Sequence, residues 1–403
     1  MKRIWLISKY CRLPGGGIYP ARGFSLLREM VRLGHDCTLI TARHDWTFKN
    51  FFRRSPEEIK VVDGIRVIEI PVIGYTRAKS FARIAGWIQF EIGLFLMRRD
   101  RLPAPHVIIA SSLSLLSILN ALLMRMRRRC KVVFEVRDVW PLVLTENGGF
   151  SRRNPLVHLL AFVEWLGYRY ADRIVGTMPN LREHVRDVLG YERPVYCIPM
   201  GIPEELIASA PKPFPSHLES VFPSGKFVVT HAGSIGIDNA LDTLFVAARM
   251  LKGDSRIAFF IIGKGDLVER YKAECADLPD VRFADSVASE FVQPVLTRSS
   301  VLYFAAHPSK VLRYGQSLNK VVDYMYSGRP IVASFTGFPS MVNEAECGVF
   351  VPAGDAAALA EQLMRMASWP DDELSRIGVN GRRWLLANRS YRALAEEYLK
   401  VLD

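Results

Sequence analysis

Cysteine is scarce and unpatterned: six residues in 403, at positions 11, 37, 130, 197, 275 and 347, none paired as C-x-x-C or set at zinc-ligand intervals. A disulfide scaffold and a zinc module are excluded, and buried free thiols in a reducing compartment are expected instead. No signal peptide is read at the start, because Met1–Ser8 runs into Lys9 and Arg12 before an apolar stretch develops. Nor does any apolar segment reach the ~18–20 uncharged residues of a spanning helix. Asp-x-Asp, H-E-x-x-H, G-x-S-x-G and the P-loop are all missing, which removes the common metal, hydrolase and NTPase signatures and predicts no metal. G-x-G-x-x-G is missing too, and Thr41-Ala42-Arg43 stands where a dinucleotide site would carry its acid, so nicotinamide binding is disfavoured. The 23 Pro and 28 Gly are dispersed, leaving no collagenous or low-complexity segment.

What is present is a packed globular composition, 49% hydrophobic and 23% charged, with a net charge of +12. That charge is divided unevenly. Residues 1–200 hold 32 Lys+Arg against 17 Asp+Glu, net +15, and the remainder holds 21 against 24, net −3. A basic half invites an anionic partner, either nucleic acid or a membrane surface.

Apolar runs without alternation, separated by helix-length segments, predict a parallel sheet covered on both faces. In the first half they fall at 3–8, 37–41, 65–70, 106–110, 131–135, 174–176 and 195–198, with a helix over 23–33 built on Phe24, Leu27 and Val31. Pro203, Pro211, Pro213, Pro215 and Pro223 read as a linker, after which a second series begins at 227–232. The expected architecture is two doubly wound α/β domains: 1–205, 206–385, and a C-terminal helix over 386–403 that crosses back to the first. Two apolar segments, 81–97 and 113–126, are edged with Arg and Lys (Arg127, Arg128 and Arg129 among them) and suit the plane of a membrane interface. The plainer reading packs both on the sheet.

In doubly wound sheets ligands bind beyond the carboxyl ends of the strands, and with two domains the cleft between them is the expected site. The first such loop holds Gly15, Gly16 and Gly17, able to bring N–H groups to a phosphate, or simply a flexible turn. After the strand over 131–135 come Arg137, Asp138 and Trp140, where a carboxylate beside an aromatic ring could bind sugar hydroxyls or assist a proton; a structural Arg137–Asp138 pair is the alternative. In the second half, Gly233-Ser234-Ile235-Gly236 and Gly263-Lys264-Gly265 read as strand-to-helix turns suited to a diphosphate. The densest cluster runs from Arg313 to Met325. It sets Arg313, Ser317 and Lys320 near a helix N-terminus, with Asp323 one turn on, so cations could neutralise a diphosphate and the carboxylate could bind ribose hydroxyls. A solvated cap with a Lys320–Asp323 salt bridge is the alternative. Of the eight His, only His231 and His307 stand near such loops.

Over nearly the whole chain the sequence resembles the family-4 glycosyltransferases of the GT-B fold. Its nearest likeness is the bacterial branch that builds O-antigen, colanic acid and capsule, with its WbuB-type N-acetylfucosamine transferases. The carriers are Gly15–Pro20 with 33–38, Glu135–Pro141, 198–202, Ala232–Gly236, Ile262–Asp266 and, most specifically, Tyr314–Ser334. The resemblance implies two Rossmann-like domains facing a central cleft. Donor would lie in the second domain, on Gly233, Ser234, Gly236, Gly263, Lys264, Ser317, Leu318, Asn319 and Asp323, with Gly15, Gly16 and Gly17 of the first domain also binding it. Acceptor would lie in the first, on Tyr19, Arg137 and Trp140, with Asp138, Lys320 and Arg313 in catalysis. It further implies transfer with retention, without metal, from a UDP-sugar (an N-acetylated amino sugar in this branch) to a polyprenyl-diphosphate-linked saccharide, at the cytoplasmic face of an anionic membrane. The chain departs from the family at Gly315, where the first acid of the E-x7-E pattern is expected, and at Ser234–Asn239, which lack the usual Arg and Lys. Two other readings stand beside it: a GT-B UDP-sugar epimerase, disfavoured by the basic apolar half, and a nucleic-acid-binding protein, disfavoured because the charge lacks aromatic interleaving or a recognition module.

Overall fold

The β-branched runs at 3–7, 107–111 and 131–136 bury nearly every side chain, and a strand buried on both faces is what a parallel sheet under helices requires. The structure, a computed structural model, describes residues 1–15, 19–46, 58–74, 81–97 and 102–403. The chain divides into two compact units: residues 1–14, 20–199 and 391–403 form unit 1, and residues 15–19 and 200–390 form unit 2.

Unit 1 runs β1 (Arg3–Ile7), α1 (Arg22–Arg32), β2 (Asp36–Trp46), β3 (Glu58–Val62), β4 (Ile65–Ile73), α2 (Phe81–Leu96), β5 (Val107–Ser111), α3 (Ser117–Arg128), β6 (Lys131–Val136), α4 (Leu142–Glu146), α5 (Pro155–Tyr170), β7 (Arg173–Gly176), α6 (Leu181–Leu189) and β8 (Val195–Cys197). Among the described residues its sheet has eight strands in the order β3-β4-β2-β1-β5-β6-β7-β8, of which only β3 is antiparallel to its neighbour. Central β1 pairs with β2 on one side (Ile4 with Cys37) and β5 on the other (Ile4 with Val107). The connection order reverses there, which is where doubly wound sheets bind ligands. On one face Phe24, Leu27 and Met30 of α1 pack with Leu394, Ala395 and Tyr398 of the C-terminal helix. Met30 takes the core place that the sequence reading gave to Val31, which sits half-buried at the edge. Beneath them Arg22 Nη1 donates to Glu135 Oε2 at 2.7 Å, its other nitrogens donate to Pro199 O and Ile198 O, and Tyr398 Oη donates to the same carboxylate at 3.2 Å. Burial alone would raise the Glu135 carboxyl; Arg22 more than reverses this and leaves it below its usual range.

Unit 2 continues with α7 (Glu204–Ala208), β9 (Phe227–Ala232), α8 (Asp242–Met250), β10 (Ile257–Ile262), α9 (Val268–Glu274), β11 (Val281–Ala284), α10 (Val292–Arg298), β12 (Val301–Ala305), α11 (Asn319–Ser327), β13 (Ile331–Ser334), α12 (Met341–Glu344), β14 (Gly348–Val351), α13 (Ala356–Met366) and α14 (Asp371–Asn388). Its six strands are all parallel, in the order β11-β10-β9-β12-β13-β14. The chain then returns to unit 1 as α15 (Tyr391–Val401).

The first boundary falls at 199/200 and the return at 390/391, against the expected 205/206 and 385/386. The proline-bearing stretch is not a free linker. Leu218 and Phe222 pack into a cluster with Val228, Phe260 and Val295 of unit 2, because its prolines alternate with apolar residues that need burial. Among the described residues no helix is long and apolar enough to cross a membrane.

Candidate active site

In unit 2 the carboxyl ends of β9 and β10 run into two glycine turns locked backbone to backbone. Gly233 N donates to Ile262 O at 3.0 Å, Ile235 N to Lys264 O at 3.0 Å, and Gly263 N to Ala284 O at 3.2 Å. A Cβ on Gly263 would stand 1.8 Å from Gly233 O, and one on Gly265 would stand 2.1 Å from Ile235 O. The Gly233 and Gly263 N–H groups are both already used by carbonyls, so neither is itself a donor left over for a ligand. Their glycines serve close approach of the two loops. Gly236 has open space, Ser234 is exposed, and Lys264 is exposed on the second turn. The first turn does not lead directly into a helix either: a short 3-10 turn over Ile237–Asn239 intervenes before α8.

Helix α11 is bolted onto this end of the sheet by Tyr324, whose buried hydroxyl accepts from Ala232 N at 2.9 Å and lies 3.0 Å from Ala232 O. That bolt brings Lys320 over the glycine turn, with its Cε 3.8 Å from where a Gly233 Cβ would be. Lys320 Nζ donates to Asn239 Oδ1. It does not pair with Asp323, so the salt-bridged cap is not what forms. Burial pulls the Lys320 amine down to about 8 and pushes the Asp323 carboxyl up to about 7. His231 is buried behind Lys320 and held neutral, its pKa lowered to about 3 by burial and by that cation, with its ring nitrogens 3.3 Å from Tyr303 O and Ser234 O. It is a structural group.

Of the remaining donor-side candidates, Ser317 Oγ accepts from Met200 N at 2.8 Å and so holds the turn that opens unit 2. Leu318 is half-buried at the N-cap position of α11, and Asn319 is exposed. Arg313 is exposed, its guanidinium 4.8 Å from the Tyr314 ring. A pocket lined by Phe304, Gln316, Leu318, Val321, Phe335 and Met341 opens beside them. Gly15 is described, with φ +142°, whereas Gly16 and Gly17 lie outside the described residues.

Tyr19 is one of the residues expected to meet the acceptor. It belongs to unit 2, packs against the cluster holding Val321 and Tyr324, and shares a hydrogen bond with Ser209. Burial raises its phenol, and the Asp323 carboxylate nearby adds to this. The loop sequence that carries it reads as part of the first domain, and only packing reveals otherwise.

In unit 1, Arg137, Asp138 and Trp140 follow β6, as their sequence position requires. Arg137 N donates to Ser112 Oγ at 2.9 Å, so the loop is tied to the end of β5. Asp138 is exposed, and desolvation by its surroundings raises its carboxyl against the pull of Arg137. Trp140 meets Trp87 of α2 edge-on, with centroids 5.9 Å apart, and Trp87 Nε1 donates to Tyr10 Oη at 2.6 Å. Tyr10, Arg83 and Trp87 were not among the residues singled out in the sequence. Trp87 looked like one more apolar position of a helix, and only its neighbours show otherwise. Among the described residues no cluster of three His, Cys, Asp or Glu could hold a metal ion.

Two parallel α/β sheets with this element order define the GT-B fold, and comparison with known proteins agrees. The chain aligns along 100% of its length with 98% of sucrose-phosphate synthase (tll1590) from Thermosynechococcus elongatus, at 18% identity and a TM-score of 0.73. It aligns along 99% with 98% of "Trehalose-6-phosphate from E. coli bound with UDP-2-fluoro glucose", at 14% and 0.74. Anabaena Alr3699/HepE in complex with UDP and glucose is similar over 100% of this chain and 99% of its own, at 14% and 0.67. No curated protein sequence matches significantly. By family, residues 23–201 match the glycosyl transferase 4-like domain and residues 226–368 match glycosyl transferases group 1. The chain is therefore a glycosyltransferase of the GT-B fold, with one of these domains in each half.

Proposed function

We propose that this chain is a retaining glycosyltransferase that moves a sugar, an N-acetylated amino sugar, from UDP to a polyprenyl-diphosphate-linked saccharide in bacterial surface polysaccharide synthesis. It works without a metal at the cytoplasmic face of the cell membrane. The observation that carries the donor side is the pairing on α11 of a half-buried cation and a half-buried carboxylate that leave each other unpaired, Lys320 beside the glycine turn and Asp323 one turn deeper. A uridine diphosphate satisfies both, its phosphates at Lys320 and its ribose hydroxyls at Asp323. The neighbours solved with UDP or a UDP-sugar agree with that choice of nucleotide.

On this reading the anomeric carbon–oxygen bond to the diphosphate breaks as the acceptor hydroxyl attacks from the same face. The hydroxyl proton passes to the departing phosphate oxygen, whose growing charge Lys320 and Arg313 offset. Asp138, exposed on the loop after β6, accepts hydrogen bonds from acceptor hydroxyls beside Trp140. The acceptor's lipid is supported by exposed apolar side chains beside cations in unit 1. Ile84, Ile88, Ile92 and Phe95 form one stripe of α2, Leu123 and Met126 add to it from α3, and Arg127 lies 5.9 Å from the Phe95 ring.

The test is thermal stabilisation of the pure chain by UDP, GDP, ADP and their sugars, with EDTA present throughout. Selective stabilisation by UDP or a UDP-sugar is expected. Stabilisation by another nucleotide alone, or only after divalent metal is added, overturns the donor or the metal-independent reading respectively.

A further inference from the structure

Lys9 lies two residues past the end of β1, at the point in unit 1 where the sheet order reverses. It is 1% exposed, and among the described residues its Nζ has no hydrogen-bond partner. The main chain cannot release it: Lys9 O accepts from Ala42 N at 3.2 Å and Thr41 Oγ1 at 3.2 Å. Its ammonium lies 5.1 Å from the Tyr10 ring centroid and 5.9 Å from that of Trp87, and a Cβ on Gly86 would come within 3.7 Å of it. The carboxyl that acts on it, Glu91, is taken up by Ser114 Oγ (2.8 Å), Ser117 Oγ (2.7 Å) and Asn120 Nδ2 (2.8 Å). A like charge acts on it too: Arg83, with its guanidinium 5.3 Å from the same Trp87 ring.

A buried cation without a partner, placed beside a second cation, is unfavourable, and two flanking rings offset only part of that cost. Natural chains keep such an arrangement where an anion completes it. The collar around Lys9 (Tyr10, Arg83, Trp87 and, through Trp87, Trp140) is half-buried, so a ligand resting on it meets solvent on its outer side. We infer that Lys9, with Arg83 beside it, seats a phosphate of the acceptor substrate, while the sugar joined to that phosphate rests on Trp87 and Trp140 toward Asp138. This rests on the proposed phosphate-bearing acceptor and adds the residues that would hold it. Burial draws the Lys9 amine down to about 7, against the pull of Glu91 and with the push of Arg83. An arriving phosphate therefore keeps a proton on the amine that the empty site holds loosely.

The test titrates the full chain, with UDP saturating, against inorganic pyrophosphate and against farnesyl diphosphate, following melting temperature and heat of binding. Lys9→Met is expected to weaken both probes about tenfold or more, through loss of a charge-assisted contact. It is also expected to melt no lower than the parent, because it replaces an unpartnered buried charge with an apolar chain of similar length. Arg83→Gln is expected to weaken the probes less and to leave melting unchanged. Tighter binding of farnesyl diphosphate than of pyrophosphate assigns the phosphate to a lipid; equal binding assigns it to a water-soluble acceptor, with the Lys9 seat standing either way. Unchanged affinity in Lys9→Met, no binding of either probe to the parent, or a lowered melting temperature in Lys9→Met each overturns the inference. If UDP itself fails to stabilise the chain while pyrophosphate binding still depends on Lys9, the donor reading falls and this one survives.

Discussion

Asp323 and Lys320 are shifted in opposite directions by the same cause, and the two shifts make separable predictions. The folded chain keeps a proton on Asp323 up to about 7, whereas the unfolded chain loses it near the ordinary 3.8. The native state therefore binds more protons between those values, and stability falls as pH rises through that window. Asp323→Asn removes this dependence: it should melt with the parent below pH 4 and above it at pH 8, while losing roughly 1–3 kcal/mol of UDP affinity. Unchanged UDP affinity in calorimetry removes the ribose role. For Lys320 the sign reverses. Its folded value of about 8 lies below the ordinary 10.5, so the unfolded state binds more protons between them and stability rises with pH across that range. Lys320→Ala should lower turnover on the order of 100-fold or more and weaken donor binding much less, because its charge matters most as the diphosphate leaves. Turnover near that of the parent excludes the assignment.

At the scale of elements, glycines that look alike in sequence do different work. Gly263 combines φ +157° with a Cβ position 1.8 Å from Gly233 O, so Gly263→Ala forces the two turns apart and should cost several kcal/mol. Gly236 has extended backbone at φ −141° and open space, so Gly236→Ala should stay within about 0.5 kcal/mol of the parent. Equal losses in denaturant melts would refute the backbone-contact account. The basic end of α3 makes another element-scale prediction: Arg127, Arg128 and Arg129 changed together to Glu should abolish sedimentation with anionic liposomes and leave melting unchanged. Continued sedimentation refutes that patch. Strands were legible wherever burial on both faces produced unbroken apolar runs, as at 131–136 and 227–232. The edge hairpin β3–β4 was only half legible, because β3 (Glu-Ile-Lys-Val-Val) alternates like a surface segment. The signal was there in Asp63-Gly64, whose φ values of +49° and +78° make the tight turn between the two strands. The glycine turns were legible as loops, but their mutual backbone contact was not, since sequence shows a glycine and not which carbonyl has claimed its N–H.

Across the whole molecule, what sequence could show was local and what it missed was assembled from distant segments. Asp323 and Lys320 share one helix, so their spacing placed them together. Arg22 and Glu135 are 113 residues apart, Lys9 and Trp87 come from a strand end and a helix, and Tyr19 leaves its own segment to join unit 2; no spacing rule reaches these. The C-terminal helix shows how much rests on such returns. Tyr391, Leu394, Ala395, Tyr398 and Val401 are buried in one cluster with Phe24, Leu27 and Met30, and Tyr398 also serves the Arg22–Glu135 pair. Truncating large core side chains costs about 2–5 kcal/mol each, against a total of about 5–15 kcal/mol for a domain. Deleting residues 391–403 should therefore unfold unit 1 while unit 2, whose cores contain none of those residues, stays folded. Limited proteolysis should then trim the deleted chain to a fragment ending near residue 390, and its one remaining calorimetric transition should still rise with UDP. Loss of every transition at once would mean that unit 2 cannot hold its fold without unit 1. A remaining transition that UDP no longer moves would mean that the donor site needs more than the residues of unit 2.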